Sequence, residues 1–91
     1  MRLFEWDENK CTSNKMKHGI DFKEAQMLWE DCNRIEFSVQ TEGEQRFLTI
    51  GLINAKHWTA VITYRELNIR IISVRRSRIE EVRLYEKRRI R

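Results

Sequence analysis

Proline is absent from this 91-residue chain and glycine occurs only three times. No linker, repeat or low-complexity segment stands out, and there is no glycine-rich phosphate loop, nucleophile elbow or metalloprotease helix. Cysteine is scarce. Cys11 and Cys32 each fall in a predicted helix, where a reduced thiol behaves as a small buried hydrophobe. The spacing of Cys11, His18, Cys32 and His57 matches no paired zinc-ligand pattern, so neither a metal site nor another cofactor is expected. No apolar run approaches the roughly 20 residues of a membrane-spanning helix. The segment Met1 to Asp7 lacks the apolar stretch of a signal peptide, so cytoplasmic residence away from membranes is the expectation.

What is present is a 41% apolar fraction with three Trp and four Phe, and a 35% charged fraction. That suffices for one domain over residues 1–91, with one core and an aqueous surface. The charge is uneven. Arg75 to Arg91 holds eight of the eighteen Lys and Arg residues and three of the fourteen Asp and Glu, so the net +4 is about +5 there and −1 elsewhere. A concentrated cationic surface on a small domain points to a polyanion. Because it begins inside an apparent strand, Asn68 to Arg76, part of it should be rigidly displayed.

Phe4-Glu5-Trp6 fits a short edge strand. Asp7 then caps a helix over Glu8 to His18 that Gly19 ends. A capping box at Asp21 and Glu24 opens a second helix, with Phe22, Ala25, Leu28, Trp29 and Cys32 on one face. From Asn33 the period changes to four β runs, Arg34 to Val39, Arg46 to Leu52, His57 to Tyr64 and Ile69 to Arg75, joined by hairpin-length connections. Another capping box, at Ser77 and Glu80, opens a final helix with Ile79, Val82 and Tyr85 inward. The expected fold is α+β: two N-terminal helices on one face of a four-stranded antiparallel sheet, then a C-terminal helix. The opposite sheet face would be free for a ligand.

An ordered set of motifs adds to this reading. It comprises Phe4-Glu-Trp6-Asp7, Lys10, Asn14, Lys17-His18-Gly19, Phe22 and Glu24-Ala25. Gly43-Glu44, Arg46-Phe47 and Ile50-Gly51 follow, then Arg70 to Arg76 and Tyr85-Glu86. Together they resemble the BrnT family of toxins from bacterial type II toxin–antitoxin systems. The chain departs from many members in lacking a proline after helix two and in ending Lys87-Arg88-Arg89-Ile90-Arg91. The resemblance implies a RelE-like fold, metal-independent RNA cleavage, translation arrest, and neutralisation by a BrnA antitoxin in a hetero-oligomer.

RNA cleavage without a metal needs a base for the ribose 2′-hydroxyl, an acid for the leaving 5′-oxygen and cations around the phosphorane. Arginine suits the last role through its permanent charge and planar fork. Arg70 and Arg75 flank an otherwise apolar strand, with ion pairs to Glu44, Glu42 or Glu5 as the alternative reading. Five apart in an ideal strand, they point to opposite faces, and only a twist, bulge or strand end would unite them. Arg76 shares the face of Arg70 in an unbroken strand. Arg46 is a third phosphate ligand or a Glu44 partner. His57 suits proton transfer, or else sits solvated beside Lys56. Tyr64 and Tyr85 could donate a proton or stack on a base, or else fill core. Of these, Tyr64 is carried forward with Arg70, Arg75, Arg46 and His57 as the catalytic set, with Arg76, Lys56 and Arg78 as RNA contacts. His18 reads as a helix cap, and Trp6, Trp29 and Trp58 as core. The competing readings are a basic nucleic-acid-binding module without chemistry, and a domain whose basic helix docks an acidic protein.

Overall fold

The first helix begins where the Asp7 carboxylate accepts the Asn9 and Lys10 amides, and it ends at Gly19, whose φ of 78° glycine adopts without strain. The computed structural model describes residues 3–89; the terminal Ile90 and Arg91 of the basic tail lie outside the described residues. The elements are β1 (Leu3–Glu5), α1 (Glu8–His18), α2 (Phe22–Ala25), β2 (Ile35–Val39), β3 (Arg46–Ile53), β4 (Lys56–Arg65), β5 (Asn68–Arg76) and α3 (Ile79–Arg89). The capping box at Asp21 and Glu24 is present in both directions. The second helix nevertheless winds as α for one turn only, then continues as a tighter 3-10 helix over Gln26–Glu30. That keeps Phe22, Ala25 and Leu28 buried but leaves Cys32 exposed in the following turn.

The sheet has five strands in the order β1-β5-β4-β3-β2. This corrects the expected four. The short N-terminal run pairs parallel to β5, with Leu3, Phe4 and Glu5 opposite Asn68, Ile69 and Arg70, while the other pairings are antiparallel. Such a parallel pairing joins residues more than sixty positions apart, which no local pattern announces. The β3–β4 hairpin turns on Asn54 and Ala55, both at positive φ (51° and 66°), the geometry of a tight two-residue turn.

Side chains alternate across the sheet, and both faces carry an apolar cluster in place of the single expected core. One face packs Ala60, Ile62, Ile69, Ile71 and Val74 against Cys11, Phe22 and Leu28 of the helical layer, with Phe4, Trp6, Trp29 and Trp58 at its margin. On the other face Ile35 and Ile50 pack against Tyr85 of α3. The C-terminal helix therefore covers part of the face that was expected to stand free. It starts at Ile79, one residue later than a Ser77 cap would set it. The Glu81 carboxylate accepts the Arg78 amide, and Ser77 instead bonds the Thr59 hydroxyl. Tyr85 is buried as expected, whereas Ile79 is exposed.

Two strands outrun their neighbours, and polar side chains of the helical layer take up the freed backbone groups. β1 ends opposite Arg70, and beyond it the buried Asn14 of α1 accepts the Val74 amide (3.1 Å) and donates to the Val74 carbonyl (2.8 Å). β2 starts opposite Ile50, and beyond it Asp31 accepts the Leu52 amide at 2.8 Å. Asp31 also accepts the Tyr85 hydroxyl at 2.6 Å, so one carboxylate joins the helical layer, a strand edge and α3. Gly51 permits the approach, since a Cβ there would lie 3.1 Å from Leu28 and 3.2 Å from Asp31.

Candidate active site

The β4–β5 ladder decides which arginines meet. Val61 pairs with Ser73 but Ile62 pairs with Ile71, so Ile72 is an extra residue, a β-bulge. The insertion resets the alternation. Ile69, Ile71 and Val74 face the helical layer, and Arg70, Ser73 and Arg75 all face the other side. Arg70 and Arg75 thus share a face, contrary to the unbroken alternation, while Arg76 turns to the opposite face and lies 5.5 Å over the Trp58 ring. Bulges re-aim side chains in this way, and an isolated sequence carries no register from which to read one.

Arg46 and His57 complete the same face. Arg46 ends the β3 row that continues with Leu48, Ile50 and Leu52, and the latter two pack in the α3-side cluster. Its neighbour Gln45 accepts the Thr63 hydroxyl at 2.7 Å, and Thr63 pairs with Arg70. Arg46 and Arg70 are therefore about two strand spacings, or ~10 Å, apart. Arg75 pairs across with Thr59, and His57 lies two residues further along β4. The result is a row of cations crossing three strands, with Arg46 and Arg70 at one end and Arg75 and His57 at the end beside α3.

Carboxylates hold much of this row. The Arg70 guanidinium meets Glu5 at 2.9 Å, which is the alternative partner that sequence reading had named. Glu44, by contrast, pairs with Arg65, and Arg46 makes no ion pair among the described residues. The Arg75 fork donates to both oxygens of Glu81, at 2.8 and 2.9 Å, and Thr59 donates to the same carboxylate at 2.9 Å. Burial would raise the Glu81 carboxyl, but the Arg75 guanidinium, the Arg78 amide and the Thr59 hydroxyl overcome it and bring its pKa down to about 2. The same pairing raises Arg75 above its usual value. The His57 Nε2 meets Glu86 at 2.7 Å, and its ring stacks edge-on against Tyr85. Burial and the Asp31 carboxylate push the Tyr85 hydroxyl up, so it stays a donor.

The remaining candidates stand elsewhere. Tyr64 is on the helical-layer face, edge-on to Phe47 and donating to Glu36 at 2.7 Å, so it does not share a site with the arginine row. Lys56 is exposed at the start of β4, and Arg78 is exposed just before α3. Sequence reasoning missed Glu81, Glu86 and Thr59. Glu81 is six residues from Arg75 and Glu86 is twenty-nine from His57, spacings that carry no helical or strand signal.

Among the described residues no helix is long and apolar enough to cross a membrane, and no group of three or more His, Cys, Asp or Glu could hold a metal ion. A family model described as the ribonuclease toxin, BrnT, of a type II toxin–antitoxin system matches residues 6–81. No curated protein matches the chain.

Proposed function

The chain belongs to the BrnT family of type II toxin–antitoxin ribonuclease toxins, and from that premise we propose that it is a metal-independent endoribonuclease acting through the arginine row. The observation that carries this reading is the bulge at Ile72, which brings Arg70 and Arg75 to the face that holds Arg46 and His57. In the proposed reaction the ribose 2′-oxygen attacks the adjacent phosphorus and the bond to the 5′-oxygen breaks. A 2′,3′-cyclic phosphate and a 5′-hydroxyl remain. His57 moves the protons, and Arg75, with Arg70 and Arg46, stabilises the charge that builds on the phosphorane oxygens. Side-chain cations thereby supply what a metal would supply elsewhere. Lys56 and Arg78 extend the cationic surface for the flanking RNA, whereas Arg76, turned to the opposite face over Trp58, lies outside it. Cleavage of cytoplasmic RNA would arrest translation, and a BrnA-like antitoxin would neutralise the toxin by covering this face.

The test is incubation of the purified chain with total RNA in EDTA, beside an Arg70→Ala, Arg75→Ala variant shown to fold. Fragments ending in 2′,3′-cyclic phosphate, lost in the variant, are the expected result. Intact RNA with folded wild-type protein overturns it. A second reading, a basic module that binds RNA without cutting it, draws on the engagement of Arg75 and His57 by Glu81 and Glu86. It predicts salt-dependent binding with no cleavage at any protein concentration.

A further inference from the structure

Several residues of the N-terminal motif remain outside the arginine row. Lys10, Ser13, Asn14, Lys17 and His18 recur at helical spacing and form one face of α1. Asn14 fixes where that face lies, because its buried amide is bonded to Val74 on the edge of β5 and to the Ile20 carbonyl at 2.9 Å. The flanking cations are thereby held along the stretch of β5 that β1 does not cover. Between α1 and the strand lies a pocket of about 240 Å³, lined by Lys10, Ser13, Lys17, His18 and the bulge residues Ile72 and Ser73.

The two lysines of this pocket carry charge that no carboxylate among the described residues offsets. Lys15 on the same helix is neutralised by Glu24, Arg70 by Glu5 and Arg75 by Glu81. Lys10 and Lys17 are exposed and make no ion pair among the described residues. Ser73 connects the two regions, since it lies between Arg70 and Arg75 on their face and also lines the pocket. A polyanion crossing the arginine row can pass over the open edge of β5 at Ser73 without leaving cationic surface. Lys10 and Lys17 are seven residues, or about 10 Å, apart along the helix axis, room for two neighbouring backbone phosphates.

We propose that this pocket is a subsite for the sugar–phosphate backbone of the substrate RNA, taking the phosphates that flank the cleaved one. Lys10 and Lys17 supply charge, and Ser13, Ser73 and His18 supply directional donors. The bulge serves both regions, because it aligns the arginines and opens the edge that the pocket uses. The inference rests on the ribonuclease reading for its substrate, but not for its location.

The test uses the full chain and a Lys10→Gln, Lys17→Gln variant, with Lys15→Gln, Lys23→Gln as a charge-matched control outside both the pocket and the arginine row. Binding of a labelled single-stranded RNA, blocked against cleavage by 2′-O-methylation, is followed by fluorescence anisotropy from 50 to 200 mM salt. Losing two phosphate contacts should flatten the slope of log K against log salt by about 1.4, so the affinity lost is roughly sevenfold larger at 50 mM than at 200 mM. With unblocked RNA, KM should rise while kcat stays near wild type. A slope and KM equal to those of the control overturn the proposal, as does normal RNA binding combined with loss of antitoxin binding, which would assign the surface to a protein partner. If the wild type never cleaves RNA but the variant still flattens the slope, the ribonuclease reading fails and the subsite stands.

Discussion

Replacing Glu81 with Gln isolates the strongest electrostatic link between α3 and the sheet. The wild-type carboxylate accepts both arms of Arg75, the Thr59 hydroxyl and the Arg78 amide, all at 2.8 to 2.9 Å. A Gln side chain keeps one acceptor oxygen and turns an NH2 group toward the guanidinium. The carboxyl pKa falls from 4.5 to about 2 on folding, which corresponds to about 3 kcal/mol of stability at pH 7. The Glu81 and Arg75 side chains are only 11% and 21% exposed, so solvent screening removes little of this. The sign follows from the depressed folded value. The contribution is fully present above pH 4.5 and is lost as pH falls, with most of it gone by about pH 2. Urea unfolding of wild type and Glu81→Gln, followed by tryptophan fluorescence at fixed ionic strength, reads the difference at each pH and cancels every other titrating group. A stability gap that stays constant from pH 7 to 2, or lies below about 0.5 kcal/mol at pH 7, would refute the reasoning, since it would place the carboxylate in the range of a surface ion pair.

Two further outcomes follow from the backbone. Asn14→Ala strands the Val74 amide and two carbonyls in a buried setting, and should cost about 2 to 4 kcal/mol in urea melts; a loss under 1 kcal/mol would mean that water reaches the strand edge. Ala55→Gly relieves a non-glycine residue held at φ 66° and should stabilise by about 0.5 to 1 kcal/mol, read as a rise in Tm; a lower Tm would show that the Ala55 methyl packs against something.

The legible parts of the fold were those encoded within a few residues. Asp7 and Gly19 bracket α1, Asp21 and Glu24 start α2, and the β runs alternate or concentrate branched residues, so each announces itself locally. The parallel pairing of β1, the bulge at Ile72, the one-residue delay of α3 and the shortening of α2 all depend on partners distant in the chain. The candidate site divides in the same way. Arg46, Arg70, Arg75 and His57 stood out by residue type and position, and the structure places them on one face. Their carboxylate partners and the displacement of Tyr64 and Arg76 to the other face needed the sheet register, which side-chain chemistry does not supply.

The polar caps at the strand ends bear on how copies of this chain meet one another. Strands β3 and β5 extend past β2 and β1, and bare amides and carbonyls along such overhangs would recruit a strand from another molecule. Asn14 answers both the amide and the carbonyl of Val74, as a neighbouring strand would but without propagating it, and Asp31 takes the Leu52 amide. At Val74 and Leu52 the edges are thus blocked chemically, and a strand from another copy finds those backbone groups already taken.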